Sequence, residues 1–257
     1  MTFCLAMKVQ DGLVGIADTR VTSGKECMTA KKISIHQNSG RHSAFIMTSG
    51  LRSLRDKAIT YFQEVIDQED KSFNKLYKMV NAFGEQVKRV AQEDRKSLEE
   101  HGLHFNLYAL VAGQLEDDKE PMLYMLYPEG NWVEAGEASP YFIIGNTGHG
   151  KPLLDRALKY ESSMEFALKV GFLSFNATRV SANDVEYPID VVTCKKNDFH
   201  ITQKRFNRDD MHQYSLWWQE RIVRSINEMP DDWINTVVDQ GAQMTFGQVN
   251  PAVRQGG

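Results

Sequence analysis

Close to its N-terminus the chain reads Gly15-Ile16-Ala17-Asp18-Thr19-Arg20-Val21-Thr22. The beginning of this segment continues an apolar run from Leu13, which predicts a buried strand that ends at Asp18. A lone carboxylate is expensive to bury, so Asp18 in such a place needs a partner of opposite charge. An aspartate that ends a strand is also typical of a turn, and this segment alone leaves both interpretations open.

The surrounding residues, 2 to 50, have the pattern of β structure. Residues 3–9 and 13–17 are apolar runs separated by Asp11-Gly12, and an Asp-Gly between two such runs favours a hairpin. Two more short apolar runs, at 32–36 and 43–47, predict two further strands. We therefore expect the chain to begin with antiparallel strands.

Beyond residue 50, pairs of helices alternate with groups of strands. Helical periodicity and short apolar runs predict, in order, two helices over 51–101, strands within 104–145, helices at 151–160 and 163–175, strands at 189–194 and 199–202, and a helix at 214–226 before a polar tail. Grouped hairpins and helix pairs indicate an α+β fold in which two antiparallel sheets pack face to face between helix pairs. We expect residues 1–257 to form a single domain, with a C-terminal helical extension and a mobile tail from about residue 207.

Composition excludes several function classes. The chain has 257 residues, 25% of them charged, and a net charge of −4, so it lacks the excess of basic residues that a nucleic-acid partner favours. No apolar run reaches membrane-spanning length, and the N-terminus lacks a secretory signal pattern, so we expect a cytoplasmic protein. Three widely spaced cysteines, Cys4, Cys27 and Cys194, indicate reduced thiols and neither a metal site nor a cofactor.

Thr2 is the first candidate for chemistry. The initiator Met1 is usually removed when a small residue follows it, and removal would make Thr2 the first residue of the mature chain. An N-terminal threonine carries its hydroxyl beside a free α-amine, whose ordinary pKa of roughly 7.7 to 8.0 lets it accept the hydroxyl proton near neutral pH. One residue would then supply both a nucleophile and a base.

Lys32 is the predicted partner of Asp18. A lysine held by Asp18 beside the hydroxyl of Thr2 would lower the pKa of that hydroxyl and orient it. Lys31 precedes it directly, and successive strand residues face opposite sides, so only one of the two lysines reaches the site. We choose Lys32 because it directly precedes the apolar residues of the next strand.

These features together resemble the proteasome β-subunit family of N-terminal-nucleophile hydrolases. The resemblance rests on Thr2, on the segment from Gly15 to Thr22, on Lys32-Ile33-Ser34-Ile35 and on Met47-Thr48-Ser49-Gly50, in matching order and spacing. Within that family the chain is similar to the bacterial ancestral beta subunit, Anbu. That similarity extends to residues 145–156, 173–175 and 188–190.

The resemblance implies a four-layer αββα fold and a threonine hydrolase that cleaves peptide or related amide bonds. Thr2 would attack the carbonyl, Asp18 and Lys32 would tune and orient it, and the backbone N–H of Gly50 would donate to the oxyanion. An extended peptide substrate would pair with the strand that contains Thr22. The resemblance also implies self-association through the helical layers into a ring or an open helical ring.

One departure from the family pattern concerns the residues that orient the α-amine. The family has an aspartate and, three residues later, a serine, whereas this chain reads Ser181-Ala182-Asn183-Asp184, with the two residue types in reversed order. We retain Ser181 as the candidate for this role. The reversal supports the alternative that the protein is a proteasome-fold scaffold or binding subunit with little or no peptidase activity.

The segment from Gly145 to Lys151 has the spacing of a phosphate-binding loop. The next residue is Pro152, where a nucleotide-binding loop needs a serine or threonine hydroxyl for magnesium. A structural turn with Pro152 in the first turn of a helix explains the same residues, and we favour it over nucleotide binding.

Overall fold

The computed structural model describes residues 2–23, 26–38, 40–69 and 72–243. The strands, in chain order, are β1 (Phe3–Val9), β2 (Gly12–Asp18), β3 (Arg20–Ser23), β4 (Glu26–Thr29), β5 (Ile33–Asn38), β6 (His42–Ser49), β7 (Tyr108–Leu115), β8 (Met122–Leu126), β9 (Trp132–Glu134), β10 (Tyr141–Gly145), β11 (Ile189–Lys195) and β12 (Ile201–Phe206). The helices are α1 (Arg52–Glu69), α2 (Leu76–Glu100), α3 (Lys151–Ala157), α4 (Met164–Ser181), α5 (Arg208–Asn227) and α6 (Asp232–Gln243).

Ten of these strands form two antiparallel sheets. One sheet has the order β10-β1-β2-β11-β12 and the other has the order β5-β6-β7-β8-β9. The hairpin predicted at Asp11-Gly12 joins β1 to β2, with Cys4 opposite Ala17. The predicted α+β fold of two antiparallel sheets is confirmed.

Three apolar layers hold the sandwich together. The faces that the two sheets turn toward each other meet in a layer that includes Phe45, Met47 and Val192. The outer face of one sheet packs on α3 and α4, and the outer face of the other packs on α1 and α2. Every central strand is therefore covered on both faces, which explains why these strands are apolar throughout and do not alternate with polar residues.

Helix α2 shows how its sequence selects the buried face. Its buried residues recur every three or four positions, as in Leu76, Met79, Val80, Phe83, Val87 and Val90. This spacing produces one apolar stripe on a helix of 3.6 residues per turn, and the stripe packs on the sheet. On the other side of the sandwich, the hydroxyl of Ser163 accepts from the N–H of Phe166 and caps α4.

Several elements differ from the sequence prediction. The apolar pattern did not predict β3 or β4 because both are short and largely polar, and only the family resemblance implied a strand that contains Thr22, which is β3. Helix α4 continues to Ser181, six residues past the predicted end. The helix predicted at 214–226 begins earlier, at Arg208, and α6 occupies part of the segment predicted as a tail. The predicted removal of Met1 and the end of the tail, 244–257, lie outside the described residues.

The chain divides into two compact units, Met1–His212 and Gln213–Gly257. In the second unit, the described helical residues expose large apolar side chains, among them Trp217, Val223, Trp233 and Val237. Among the described residues, no helix is both long enough and apolar enough to cross a membrane.

Candidate active site

The candidate site lies at one edge of the sandwich, where several strands begin or end. Antiparallel pairing places Phe3, the first residue of β1, opposite Gly145, the last residue of β10. The end of β2 lies beside the start of β1 for the same reason, which brings Asp18 to this edge. In the facing sheet, β5 begins at Ile33 and β6 ends at Ser49, directly after Lys32 and directly before Gly50.

Asp18 is fully buried and has two donors on one oxygen. Its Oδ1 accepts from the backbone N–H of Phe3 at 2.8 Å and from Nζ of Lys32 at 2.7 Å. Burial raises the pKa of the Asp18 carboxyl, and the Lys32 ammonium together with backbone N–H groups opposes that shift. Lys31 is exposed, so the structure confirms the predicted pairing of Asp18 with Lys32.

The peptide group between Thr2 and Phe3 is hydrogen-bonded through both its N–H and its C=O. The N–H of Phe3 donates to Asp18, as described, while the carbonyl of Thr2 accepts from the N–H of Asn146 at 2.7 Å. Because Phe3 and Lys32 donate to the same carboxylate oxygen, the Lys32 ammonium lies beside this peptide. The backbone of Thr2 is thus fixed next to a buried cation.

Gly145 makes this close approach possible. Its φ is +91°, and a Cβ at this position would lie 1.9 Å from the carbonyl oxygen of Thr2. Any side chain would therefore displace Thr2, in addition to the backbone strain that a positive φ imposes on other residues. In the sequence, Gly145 stood out only as the first residue of a loop. The close approach of Thr2, which requires a glycine there, is visible only in the structure.

Gly50 occupies a similar position in the facing sheet. Its φ is +137°, and a Cβ would lie 1.8 Å from the carbonyl oxygen of Asn106. The side-chain Oδ1 of Asn106 accepts from the N–H of Leu51 at 3.1 Å, which fixes the turn between β6 and α1. Nothing in the sequence singled out Asn106, because it lies about 55 residues away from Gly50 in a loop without a motif.

These elements surround one cavity of about 540 Å³. Its lining residues are Thr2, Arg20, Val21, Met28, Lys32, Thr48, Ser49, Gly50, Leu51, Arg52, Arg55, Asn106 and Gly145. The structure therefore brings Thr2, Lys32 and Gly50 together, with Asp18 buried behind Lys32.

Ser181 does not line this cavity. It is the last residue of α4 and is exposed, and Asp184 is also absent from the lining residues. Thr22 lies in β3, where it pairs with Cys27 of β4. Among the described strands, β3 and β4 pair only with each other and form a two-stranded ribbon.

Neither the Cys4 thiol nor the loop that begins at Gly145 is arranged as a second reactive site. Cys4 is fully buried in β1, and burial raises the pKa of its thiol to about 12, so no thiolate forms near neutral pH. In the loop that resembles a phosphate-binding loop, Nζ of Lys151 donates to Asp155 at 2.8 Å and to the hydroxyl of Tyr141 at 3.0 Å. Pro152 lies in the first turn of α3, as the structural interpretation predicts.

No group of three or more histidine, cysteine, aspartate and glutamate side chains in the described part of the chain is arranged to hold a metal ion. What the described residues do combine is a threonine, a lysine paired with a buried aspartate, and a glycine at one cavity.

A family model described as proteasome subunit matches residues 2–193, which is most of the chain. The chain belongs to the proteasome subunit family. None of the curated proteins compared with the chain matches it.

Solved structures of Anbu are similar to this chain over most of its length. An Anbu (Gly-1) mutant from Hyphomicrobium sp. strain MC1 has 27% identity and a TM-score of 0.82, over 89% of this chain and 99% of that one. Anbu, the ancestral beta-subunit, from Yersinia bercovieri has 26% identity and a TM-score of 0.82, over 89% and 97%. A structure described as the helical assembly of the Anbu complex from Pseudomonas aeruginosa has 25% identity and a TM-score of 0.83, over 89% and 97%. The predicted resemblance to Anbu is confirmed.

Proposed function

We propose that this protein is a threonine-type N-terminal-nucleophile hydrolase that cleaves peptide or related amide bonds. The observation that carries the proposal is the shared oxygen of Asp18, which accepts from both Phe3 and Lys32 and so holds the ammonium beside Thr2. A cation in that position favours the ionised form of the neighbouring hydroxyl and thereby makes the threonine oxygen more nucleophilic.

The first step is acylation of Thr2. Removal of Met1 frees the α-amine, which takes the hydroxyl proton directly or through a water as Oγ forms a bond to the substrate carbonyl carbon. The electron pair of the C=O bond moves to its oxygen, and the backbone N–H of Gly50 donates to that oxyanion. The C–N bond then breaks, the leaving amine takes the proton from the α-amine, and an ester remains on Thr2.

The second step releases the acyl group. Water attacks the ester carbonyl and its proton passes to the α-amine; the C–O bond to Thr2 then breaks as the α-amine returns that proton to Oγ, which restores the hydroxyl and releases the acid. The lysine and aspartate do not exchange protons with the substrate in this scheme. They hold the charge beside Oγ, which is the contribution that a preorganised, buried ion pair makes.

Substrate binding and assembly complete the proposal. An extended peptide adds as a strand beside β3, the strand that contains Thr22, because backbone pairing holds substrates of varied sequence. The protein associates with copies of itself, as the helical assembly of the Pseudomonas aeruginosa relative supports. Ser181 is exposed at the end of α4 and outside the cavity lining, so it would orient the α-amine only after a rearrangement of that end of the helix.

The deciding experiment tests for a free, reactive N-terminal threonine. Intact mass of the purified full chain is expected to show loss of Met1. A peptide epoxyketone, which needs both a hydroxyl and an α-amine on one residue to close its ring, is then expected to add once per chain. Mapping by peptide mass spectrometry should place the adduct on Thr2.

Matched variants make this result specific. Thr2→Ala is expected to lose the adduct and to lower peptide hydrolysis by at least about 1,000-fold, whereas Thr2→Ser keeps both. Thr202→Ala changes an exposed threonine on β12 and should behave as the unmodified protein. Retention of Met1, or an adduct that persists in Thr2→Ala, would contradict the proposal.

A second candidate function is a proteasome-fold scaffold or binding subunit that does not cleave. The observation that favours it is the exposed position of Ser181 outside the cavity of Thr2. Self-association with no Thr2-dependent adduct and no hydrolysis would favour this candidate.

A further inference from the structure

The cavity beside Thr2 is strongly basic in a chain whose overall charge is negative. Four of its lining residues carry positive side chains, namely Arg20, Lys32, Arg52 and Arg55, and none of the described lining residues is acidic. The whole chain has 30 basic and 34 acidic residues, so its average composition does not produce this concentration of positive charge. A cleft lined by charges of one sign raises the local concentration of ligands that carry the opposite charge.

Two nearby acidic residues, Asp18 and Asp56, neutralise part of this positive charge. Asp18 neutralises Lys32 from behind the cavity. Asp56 accepts from Arg55 through Nε at 2.8 Å and through Nη2 at 2.6 Å, and it accepts from Nε of Arg52 at 3.2 Å. One carboxylate thus serves two guanidinium groups, which leaves the first turn of α1 positive.

Arg52 is a cavity-lining arginine with one of its guanidinium donors on a weak acceptor. While its Nε is held by Asp56, its Nη1 donates at 3.2 Å to the sulfur of Met28, another cavity residue. A thioether is a weak acceptor, whereas a carboxylate forms charge-assisted hydrogen bonds with a guanidinium that are about twice as strong as neutral ones. A carboxylate in this position would therefore be a much better partner for Nη1 than Met28.

The position of Arg52 relative to the reacting atoms selects the part of the substrate that it contacts. Arg52 begins α1 two residues after Gly50, whose N–H faces the oxyanion in the proposed function. The side chain nearest the attacked carbonyl is that of the residue on the acyl side of the cleaved bond. In the proposed function this side chain would enter the same cavity, which Thr2 and Arg52 both line.

From this geometry we infer that the protein selects substrates with aspartate or glutamate on the acyl side of the cleaved bond, and that Arg52 is the specificity-determining residue. The inference rests on the proposed function and names the substrate class for that site. Asp56, which also accepts from Arg55, positions Arg52, and Arg20 is a further basic residue of the cavity lining. The hydrolytic step itself is unchanged.

Matched peptides test the selection through turnover. Two fluorogenic peptides that differ only in glutamate or glutamine before the reporter amide have the same shape and differ in charge. We expect the full chain to cleave the glutamate peptide with kcat/KM about 10- to 100-fold higher, the range for a hydrogen bond to a charged partner. Raising the salt concentration from 50 to 500 mM should reduce this ratio, because Arg52 is about half exposed.

Variants test the assignment to Arg52. Arg52→Gln is expected to reduce the glutamate-to-glutamine ratio to near 1, mainly by lowering kcat/KM for the glutamate peptide. Arg52→Lys keeps the charge and should restore part of the ratio. Arg41→Gln removes an arginine that pairs with Glu116 and does not line the cavity, and it should leave the ratio unchanged.

A binding measurement separates this inference from the proposed function. Peptide amides with glutamate or glutamine at the selected position are titrated into Thr2→Ala, which cannot form the ester. Tighter binding of the glutamate peptide, lost in the double variant with Arg52→Gln, supports the inference even where no hydrolysis is found and the proposed function fails. Thr2-dependent hydrolysis with equal rates and equal binding for both peptides overturns the inference and leaves the proposed function intact. Equal binding without hydrolysis overturns both.

Discussion

Two aspartate–lysine pairs of nearly equal length lie in contrasting surroundings. The distance between Asp18 and Lys32 is 2.7 Å, and the distance between Lys151 and Asp155 is 2.8 Å. In the first pair the side chain of Asp18 is 0% exposed and that of Lys32 is 3% exposed. In the second pair the side chain of Asp155 is 49% exposed and that of Lys151 is 55% exposed. Distance alone would rank the two pairs as equivalent.

Burial makes them different. Water screens the exposed pair, and either partner can leave the other without a large cost because solvent replaces the lost contact. The buried pair has no such replacement, so removal of one partner leaves an uncompensated charge in the interior. The buried pair is therefore suited to holding a fixed charge beside Thr2, and the exposed pair is suited to little more than support of α3.

The largest expected effect comes from breaking the buried pair. We expect Lys32→Met to lower the free energy of unfolding by about 3–5 kcal/mol, since Asp18 then lacks its counter-ion. Urea unfolding at matched protein concentration measures this change, because association affects the apparent stability. The same variant should abolish the epoxyketone adduct at Thr2 under conditions in which it remains folded.

A double variant separates stability from chemistry. Asp18→Asn with Lys32→Met removes both charges and keeps an oxygen for the N–H of Phe3. Part of the lost stability should return, because no buried charge remains unpaired, while the reactivity of Thr2 should not return. A double variant that reacts as well as the unmodified protein would show that the pair is structural only.

His36 sharpens the comparison, because it is a buried titratable group with little to compensate its charge. It is 8% exposed, its ring packs edge-on against Phe62, and its Nε2 has no hydrogen-bond partner among the described residues. Burial lowers the pKa of His36 to about 4, the electrostatic interaction with His42 acts in the same direction, and Asp67 opposes them. The unfolded chain has a histidine pKa near the ordinary value of about 6.5 and therefore takes up the proton first as the pH falls.

This order fixes the sign of the pH dependence. The contribution of His36 to stability is intact above about pH 6.5 and is lost progressively between about pH 6.5 and 4, where the unfolded state binds more protons. Between pH 7 and pH 5 the loss should reach about 2 kcal/mol. Urea unfolding at the two pH values should show this loss in the unmodified protein and a smaller loss in His36→Leu. Equal losses in both proteins would assign the pH dependence to other groups.

The strands and the buried pair were predictable because they follow from local patterns. Apolar runs bounded by Asp-Gly and similar turns identified the central strands, and grouping of strands and helices identified the two sheets. Asp18 was identifiable because an aspartate that ends an apolar strand needs a partner, and Lys32 was the lysine nearest the next strand. An unpaired charge is costly in any protein interior, so the need of Asp18 for a partner can be inferred before any coordinates exist.

Other parts of the site depend on distant segments that no local pattern connects. The contact of Asn106 with Leu51 joins two loops about 55 residues apart. Strands β3 and β4 are too short and polar to show alternation, and the Arg52–Met28 contact depends on where β4 lies. Ser181 was chosen from a family pattern, and its exposed position at the end of α4 followed from a helix six residues longer than the one predicted.

The smallest expected effect concerns the exposed pair of the opening comparison. The pKa of Lys151 is raised to about 12 because its ammonium donates to Asp155 and to the hydroxyl of Tyr141. Solvent screens both side chains, so this exposed pair, four residues apart on a helix, contributes less than about 1 kcal/mol to stability. Lys151→Met should therefore change urea unfolding by less than this amount, and the epoxyketone adduct at Thr2 should form at the unmodified rate because Lys151 does not line the cavity. A loss as large as that of Lys32→Met would mean that distance, and not burial, sets the strength of these pairs.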